Sequence, residues 1–178
     1  MLDSAILPLQ DARVRLRPLA VTDATSYAAG AGDDAVREFG HLPESDHTPE
    51  SVRAMITRDV DPGLARGDLA ILTIARAGSD VFAGSLVVFD VTDGAAEVGF
   101  WIHPDHRGHG LSTAALELAA TFARRSGLHT LTARTLPHNT ASRRALEAAG
   151  FTAGGRDIGT APSGQRAELV GFARSLDV

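Results

Sequence analysis

Residues 97–113 read Glu97-Val98-Gly99-Phe100-Trp101-Ile102-His103-Pro104-Asp105-His106-Arg107-Gly108-His109-Gly110-Leu111-Ser112-Thr113. Val98 to Ile102 is an apolar, aromatic-rich run that suits a buried strand. His103-Pro104-Asp105 breaks it, because proline has no N–H to give to a ladder. A loop with glycines at 108 and 110 follows, then a helix-forming run from Ala114 to Arg125. Strand, glycine loop and helix in that order present bare backbone N–H groups at a helix N-terminus. There the first amides lack partners and the dipole adds roughly half a positive charge, which suits phosphate. Glycine at 108 and 110 removes the Cβ atoms that would hold a pyrophosphate away.

Two other phosphate loops are excluded. The chain contains no lysine, so there is no G-x-x-x-x-G-K-[ST], and no N-terminal strand is followed by G-x-G-x-x-G with an acid about 20 residues on. The loop instead matches R-G-x-G-[LIY]-[AGS]-T over Arg107 to Thr113. Ala96-Glu97-Val98-Gly99-Phe100-Trp101-Ile102-His103-Pro104 precedes it, and the run Asn139 to Phe151, N-T-A-S-R-R-A-L-E-A-A-G-F, follows. With these motifs in this order the chain resembles the GNAT acyl-CoA N-acyltransferases. Within them it is most similar to the branch that holds the ribosomal-protein N-terminal acetyltransferases. The resemblance runs from Val14 to Phe172.

A chain of 178 residues is expected to form one domain and to bury about 70% of its unfolded surface. Its composition, 44% hydrophobic and 22% charged, suits a soluble globular protein. The absence of cysteine excludes a disulfide framework, a thiolate metal site and a cysteinyl acyl-enzyme. Met1 to Ala5 carries no basic segment and no apolar run is long enough for a bilayer, so a cytoplasmic location without membrane partners is expected. A net charge of −5 argues against nucleic acid as a partner. That charge is concentrated: Asp33, Asp34, Glu38, Glu44, Asp46 and Glu50 face Arg37 alone. The segment reads either as solvated helical surface or as a funnel for a cationic acceptor.

Outward from the loop, residues 1–12 show no period and read as a lead-in to a single domain over 13–176. Val14 and Leu16 alternate with Arg13, Arg15 and Arg17 as a half-buried strand. A helix starts at Thr22-Asp23, and 30–47 reads as loop with one helical turn. Thr48 caps a helix with Pro49 at its first position, closed by Gly67. Strands at 69–75 and 81–91 turn at Gly78-Ser79-Asp80, and Asp93-Gly94 turns into the strand ending at Ile102. After the loop come a helix, a strand at 128–135, a helix from Thr140 closed by Gly150, and a hairpin turning at Ala161-Pro162-Ser163-Gly164. The fold class is α/β (α+β): one domain of about seven strands in a mixed, mostly antiparallel twisted sheet, with four helices. The order βααβββαβαββ is what the resemblance implies.

The resemblance also implies roles. Acyl transfer from a thioester to an amine needs a grip on pyrophosphate, an uncharged nucleophile, an oxyanion donor and a proton for the thiolate. Arg107, Gly108, His109, Gly110, Leu111, Ser112 and Thr113 would form the grip on acetyl-CoA, although the family usually has glycine or alanine where Ser112 stands. Two parallel strands would splay, exposing backbone at Phe100, Trp101, Ile102 and His103 to the pantetheine arm, with a facing wall near 131–135. The oxyanion donor would be an amide around Trp101 or Ile102. Asn139 would cap a helix and bind the pantetheine amide. Glu97 would be the general base once burial raised its pKa, and Ser142 the acid that protonates the thiolate. The tyrosine that many relatives place four residues before Gly-Phe is Leu146 here. On this reading Glu97→Gln is the larger loss. His103, His106 and His109 recur every third residue, but proline and glycine interrupt the run and no metal is expected.

The expected function is acetyl-CoA-dependent N-acetylation by direct attack in a ternary complex. The acceptor would be a protein N-terminus or a small-molecule amine, polyamine or aminoglycoside-like drug, and a homodimer is left open. The other readings are a silent acyl-CoA-binding sensor or interaction module, and transfer of a longer acyl group such as succinyl.

Overall fold

In the computed structural model, which describes residues 1–40, 42, 46–161 and 164–176, the chain forms one α/β domain around an eight-stranded sheet. The strands are β1 Leu9–Gln10, β2 Val14–Pro18, β3 Ala70–Arg76, β4 Phe82–Phe89, β5 Ala95–Ile102, β6 Thr130–Thr135, β7 Thr152–Thr160 and β8 Arg166–Ser175. Their spatial order is β1-β2-β3-β4-β5-β6-β8-β7, and every neighbouring pair is antiparallel except β5 and β6. The helices are α1 Ala24–Ala31, α2 Asp34–Phe39, α3 Pro49–Met55, α4 Asp61–Arg66, α5 Leu111–Arg125 and α6 Thr140–Ala148. A π-helical turn, Ile56–Val60, joins α3 and α4 into one continuous rod over 49–66.

Two differences from the expected count have simple causes. The lead-in contributes the two-residue strand β1, too short to show a period, and Leu2 in front of it is buried. The helical turn expected within 30–47 is the complete helix α2, capped by the Asp33 side chain on the Val36 amide at 3.1 Å. Elsewhere local signals act as read. Thr48 accepts from the Ser51 amide with Pro49 at the first helical position, and Gly67 closes the rod at φ 75°. Of the turn expected at 161–164, Pro162 and Ser163 lie outside the described residues.

Strand alternation divides the core between the two faces of the sheet. On one face Leu72, Ile74, Leu86 and Val98 pack against Leu116, Ala119 and Phe122 of α5 and Leu146 of α6. On the other, Ile71, Phe82, Val87 and Trp101 meet Tyr27 and Ala28 of α1 and Val52 and Met55 of α3. Gly30 makes the second contact close: a Cβ there would stand 2.6 Å from Trp101 Cζ3 and 2.7 Å from His103 Cδ2. Gly30→Ala would push α1 off the aromatic cluster.

Below these helices Arg17 and Asp23 form a buried ion pair. Arg17 Nη1 donates to Asp23 Oδ2 at 2.7 Å and Nη2 to Oδ1 at 2.9 Å; the Ala20 amide and Thr73 hydroxyl also donate to Oδ2, at 3.0 and 2.8 Å. Burial opposes ionisation of Asp23, but these hydrogen bonds outweigh it and hold the carboxyl below its ordinary value. The stabilisation is therefore present above the unfolded carboxylate pKa of about 3.9 and is lost as pH falls through the lower folded value. Denaturant titration of Asp23→Ala should show a loss of about 1–3 kcal/mol at neutral pH, because the Ala20 amide and Thr73 hydroxyl lose their acceptor while Arg17 keeps only Asp80, 3.0 Å from its Nε. The gap from wild type should narrow below about pH 4; an equal gap across that range would contradict the account.

Candidate active site

The ladder between β5 and β6 covers only Ala95↔Thr130, Ala96↔Leu131 and Glu97↔Thr132. Beyond these pairs the two parallel strands separate, while each keeps its other neighbour: β5 stays paired with β4 to Ile102, and β6 with β8 to Thr135. The expected splay is present, with its free wall at 133–135, since Leu131 and Thr132 are still paired.

The two sides of a strand's backbone alternate as its side chains do. Ala96 O faces β6, where it accepts from the Thr132 hydroxyl at 3.3 Å, and the His103 amide faces β4, donating to Ala83 O at 2.8 Å. With β5 in unbroken register, the Trp101 amide therefore faces β4, and the amides of Val98, Phe100 and Ile102 face the splay. Of the expected oxyanion donors, the Trp101 amide is thus turned to β4, while that of Ile102 faces the splay together with that of Phe100. His103 likewise has its amide occupied, and its Nδ1 accepts from the Asp105 amide at 3.2 Å.

A cleft of about 360 Å³ opens between the end of β5, the 106–112 loop, α2 and the start of α6. Gly110 caps α5 in the left-handed conformation, φ 69°, with no side chain on the first turn. The amides of Leu111, Ser112 and Thr113 have no acceptor among the described residues. They form the positive end of a 15-residue helix. Gly108 is also left-handed, with open space where a Cβ would stand. Ser112 lines the cleft; His109 and Thr113 do not, and His109 Nδ1 lies 3.2 Å from His106 O. His106 is pushed below its ordinary pKa by burial and then by the neighbouring His103. Among the described residues no three metal-ligating side chains gather.

Arg107 borders the cleft with its guanidinium bonded to the Asp33 carboxylate. That contact is the main cause of the lowered pKa of Asp33. The cation beside Gly110 is Arg13, which sequence reasoning assigned only to a strand: Nη1 lies 2.8 Å from the position of a Gly110 Cβ. Arg13 is exposed and no acid is paired with it among the described residues. The acids of this segment are largely paired as well, mostly with side chains outside it. Glu38 meets His138 at 3.0 Å, Asp46 meets Arg37 at 3.4 Å and Glu50 meets Arg53 at 3.3 Å. Glu44 lies outside the described residues.

Asn139 is buried and caps α6: Oδ1 accepts from the Ser142 amide at 3.1 Å and Nδ2 donates to Ser142 Oγ at 2.9 Å. Ser142 lines both the cleft and a narrow wedge of about 30 Å³ between the splayed strands. Glu97 lies in the same wedge, and Arg134 of β6 clamps it: Nε reaches both carboxylate oxygens at 3.0 Å and Nη2 reaches Oε2 at 2.9 Å. The general-base expectation required burial to favour the protonated acid. Both Glu97 carboxylate oxygens are instead engaged by the Arg134 guanidinium, a charge-assisted pair between the strands. The pair bridges the strands one step past the last rung of their ladder. No sequence period marks Arg134 as its partner; the lone cation within the apolar strand 128–135 is the only hint.

The sequence pattern of the acetyltransferase (GNAT) domain matches residues 13–152. A probable N-acetyltransferase of Bacillus subtilis (strain 168), YjcK, is 29% identical over 150 residues, covering 80% of this chain and 82% of that protein. The structure of Mycobacterium smegmatis RimJ in complex with CoA-disulfide superimposes with a TM-score of 0.81 at 24% identity, covering 91% of this chain and 81% of that one. Spermidine N-acetyltransferase from Vibrio cholerae, in complex with CoA and spermine, gives 0.77 at 14% identity over 93% and 97%. The chain belongs to the GNAT acetyltransferase family and is an N-acyltransferase.

Proposed function

We propose that the protein transfers the acetyl group of acetyl-CoA to an amine by direct attack in a ternary complex. The observation that carries this reading is the position of Ser142, shared by the cleft and the wedge. Asn139 Nδ2 fills an acceptor position of its hydroxyl, whose proton has no acceptor among the described residues. Ser142 is thus oriented as a donor at the point where the pantetheine sulfur would lie.

Acetyl-CoA supplies an activated acyl thioester; the chain's residues do the rest. The amides of 111–113 and the Arg13 guanidinium bind the phosphates. The Phe100 or Ile102 amide donates to the developing oxyanion. The amine nitrogen forms the new C–N bond as the C–S bond breaks. The amine attacks uncharged; Ser142 gives its proton to the thiolate, and the proton that the nitrogen loses on forming the amide returns to Ser142 by way of solvent. Glu97 and Arg134 set the opening of the wedge as a positioning pair.

With no cysteine to carry the acyl group, intact mass after acetyl-CoA alone should be unchanged. Double-reciprocal plots should intersect. Parallel lines together with a stable mass increase would contradict direct attack.

A further inference from the structure

We infer that the acceptor amine carries an apolar side chain, held in a second pocket on the far face of β5; this rests on the transferase reading above. The pocket, about 200 Å³, is covered by α1, and the side chains that the sheet sends into it come from one face. Ile71 of β3, Val87 and Phe89 of β4 and Trp101 of β5 supply apolar surface, with Leu69 at its edge. Ser85 is the one hydroxyl from the sheet, and it is already engaged with Leu72 O at 3.2 Å. Tyr27 of α1 adds its phenol to the lining, and among the described residues no arginine, histidine or carboxylate joins it.

Gly99 joins this pocket to the wedge, since it lines both. It stands between Glu97 and Trp101 on the same face and has no side chain to close the passage. A molecule seated in the pocket would therefore reach the acyl carbon past Gly99. A polycation taking that path meets no free anion among the described residues, because Glu97 is bound by Arg134. Among the described residues the lining holds no carboxylate for a second ammonium group. The indole Nε1 of Trp101, a residue 5% exposed and bordering both large cavities, is buried without an acceptor. A carbonyl beside the amine would pair with it. The chemistry that fits is an α-amine flanked by a carbonyl and an apolar side chain.

The test uses amides of leucine, phenylalanine, serine and aspartate, which share one reacting group, with spermidine as a polycation. Acetylation is followed by release of CoA from acetyl-CoA. The expected kcat/KM for the leucine and phenylalanine amides exceeds that for the serine and aspartate amides by about tenfold or more, with spermidine slower still. Val87→Thr keeps the shape of the wall and adds a hydroxyl, and Leu69→Gln alters the partly buried edge. Each should shrink the leucine-to-serine ratio. Preference for spermidine or the aspartate amide, or a ratio unchanged in both variants, would overturn the inference and leave the enzyme intact. No acetylation of any amine by a protein that still binds CoA would instead overturn the transferase reading itself.

Discussion

Replacing Ser142 by alanine lowers kcat by about 10²–10⁴-fold, the usual worth of a positioned acid, and leaves CoA affinity nearly unchanged. Affinity should survive because the proposed phosphate grip lies at the start of α5, and the Asn139 cap on the residue 142 amide is kept. Asn139 Nδ2 loses its partner in a buried site, so stability falls by about 1–3 kcal/mol, which thermal unfolding separates from catalysis. Ser142→Thr retains the hydroxyl and should restore part of the rate. Sequence alone ranks Glu97→Gln as the larger loss; the reading of Glu97 as a positioning residue expects the reverse order, because the Arg134 guanidinium already holds both of its carboxylate oxygens. A Glu97→Gln rate below that of Ser142→Ala would restore Glu97 as the base. The acceptor's kcat/KM should rise with pH through the amine's own ionisation, near 7.7–8.0 for an α-amine.

Gly110→Asp should cost CoA most of its affinity. Aspartate tolerates the left-handed backbone at φ 69° better than most residues, so the variant folds. Its Cβ would come within 2.8 Å of Arg13 Nη1, the mobile end of an exposed side chain that moves easily and then pairs with the new carboxylate. A negative charge at a helix N-terminus is itself favourable by about 0.3–1 kcal/mol. The substitution therefore satisfies the site with the protein's own anion and displaces the phosphate. Losing two charge-assisted contacts of about 1.5 kcal/mol each corresponds to roughly 100-fold in Kd by calorimetry. Unchanged affinity in the folded variant would remove the pyrophosphate from this loop.

What was legible in the sequence was local. A strand cut by His103-Pro104, glycines at 108 and 110 and a helix after them lie within a few residues of one another, as do Thr48, Pro49 and Gly67 around their rod. The Asn139–Ser142 pair is a helix cap and falls in the same class. What was hidden depends on register. Glu97 and Arg134 meet because β5 and β6 align Glu97 with Thr132, and no spacing in the chain encodes that pairing. Arg107 and Asp33 read in the sequence as unrelated, a loop residue and part of an acidic surface, while the fold pairs their side chains across α2 and the loop. Arg13 reads as the charged half of an alternating strand, and only the packing of β2 near α5 sets it beside Gly110. The choice between the Trp101 and Phe100 amides turns on which edge of β5 faces the splay, a parity that needs the partners of Ala96 and His103.

The central claim is that the cleft and wedge together carry out acyl transfer, with Ser142 between them. The most direct measurement is steady-state release of free CoA from acetyl-CoA, with and without a panel of amines, at constant enzyme. The account predicts many turnovers that require the amine and yield one N-acetylated product per CoA. Binding of CoA by calorimetry with no amine-dependent release would contradict it and leave a protein that holds acyl-CoA without using it.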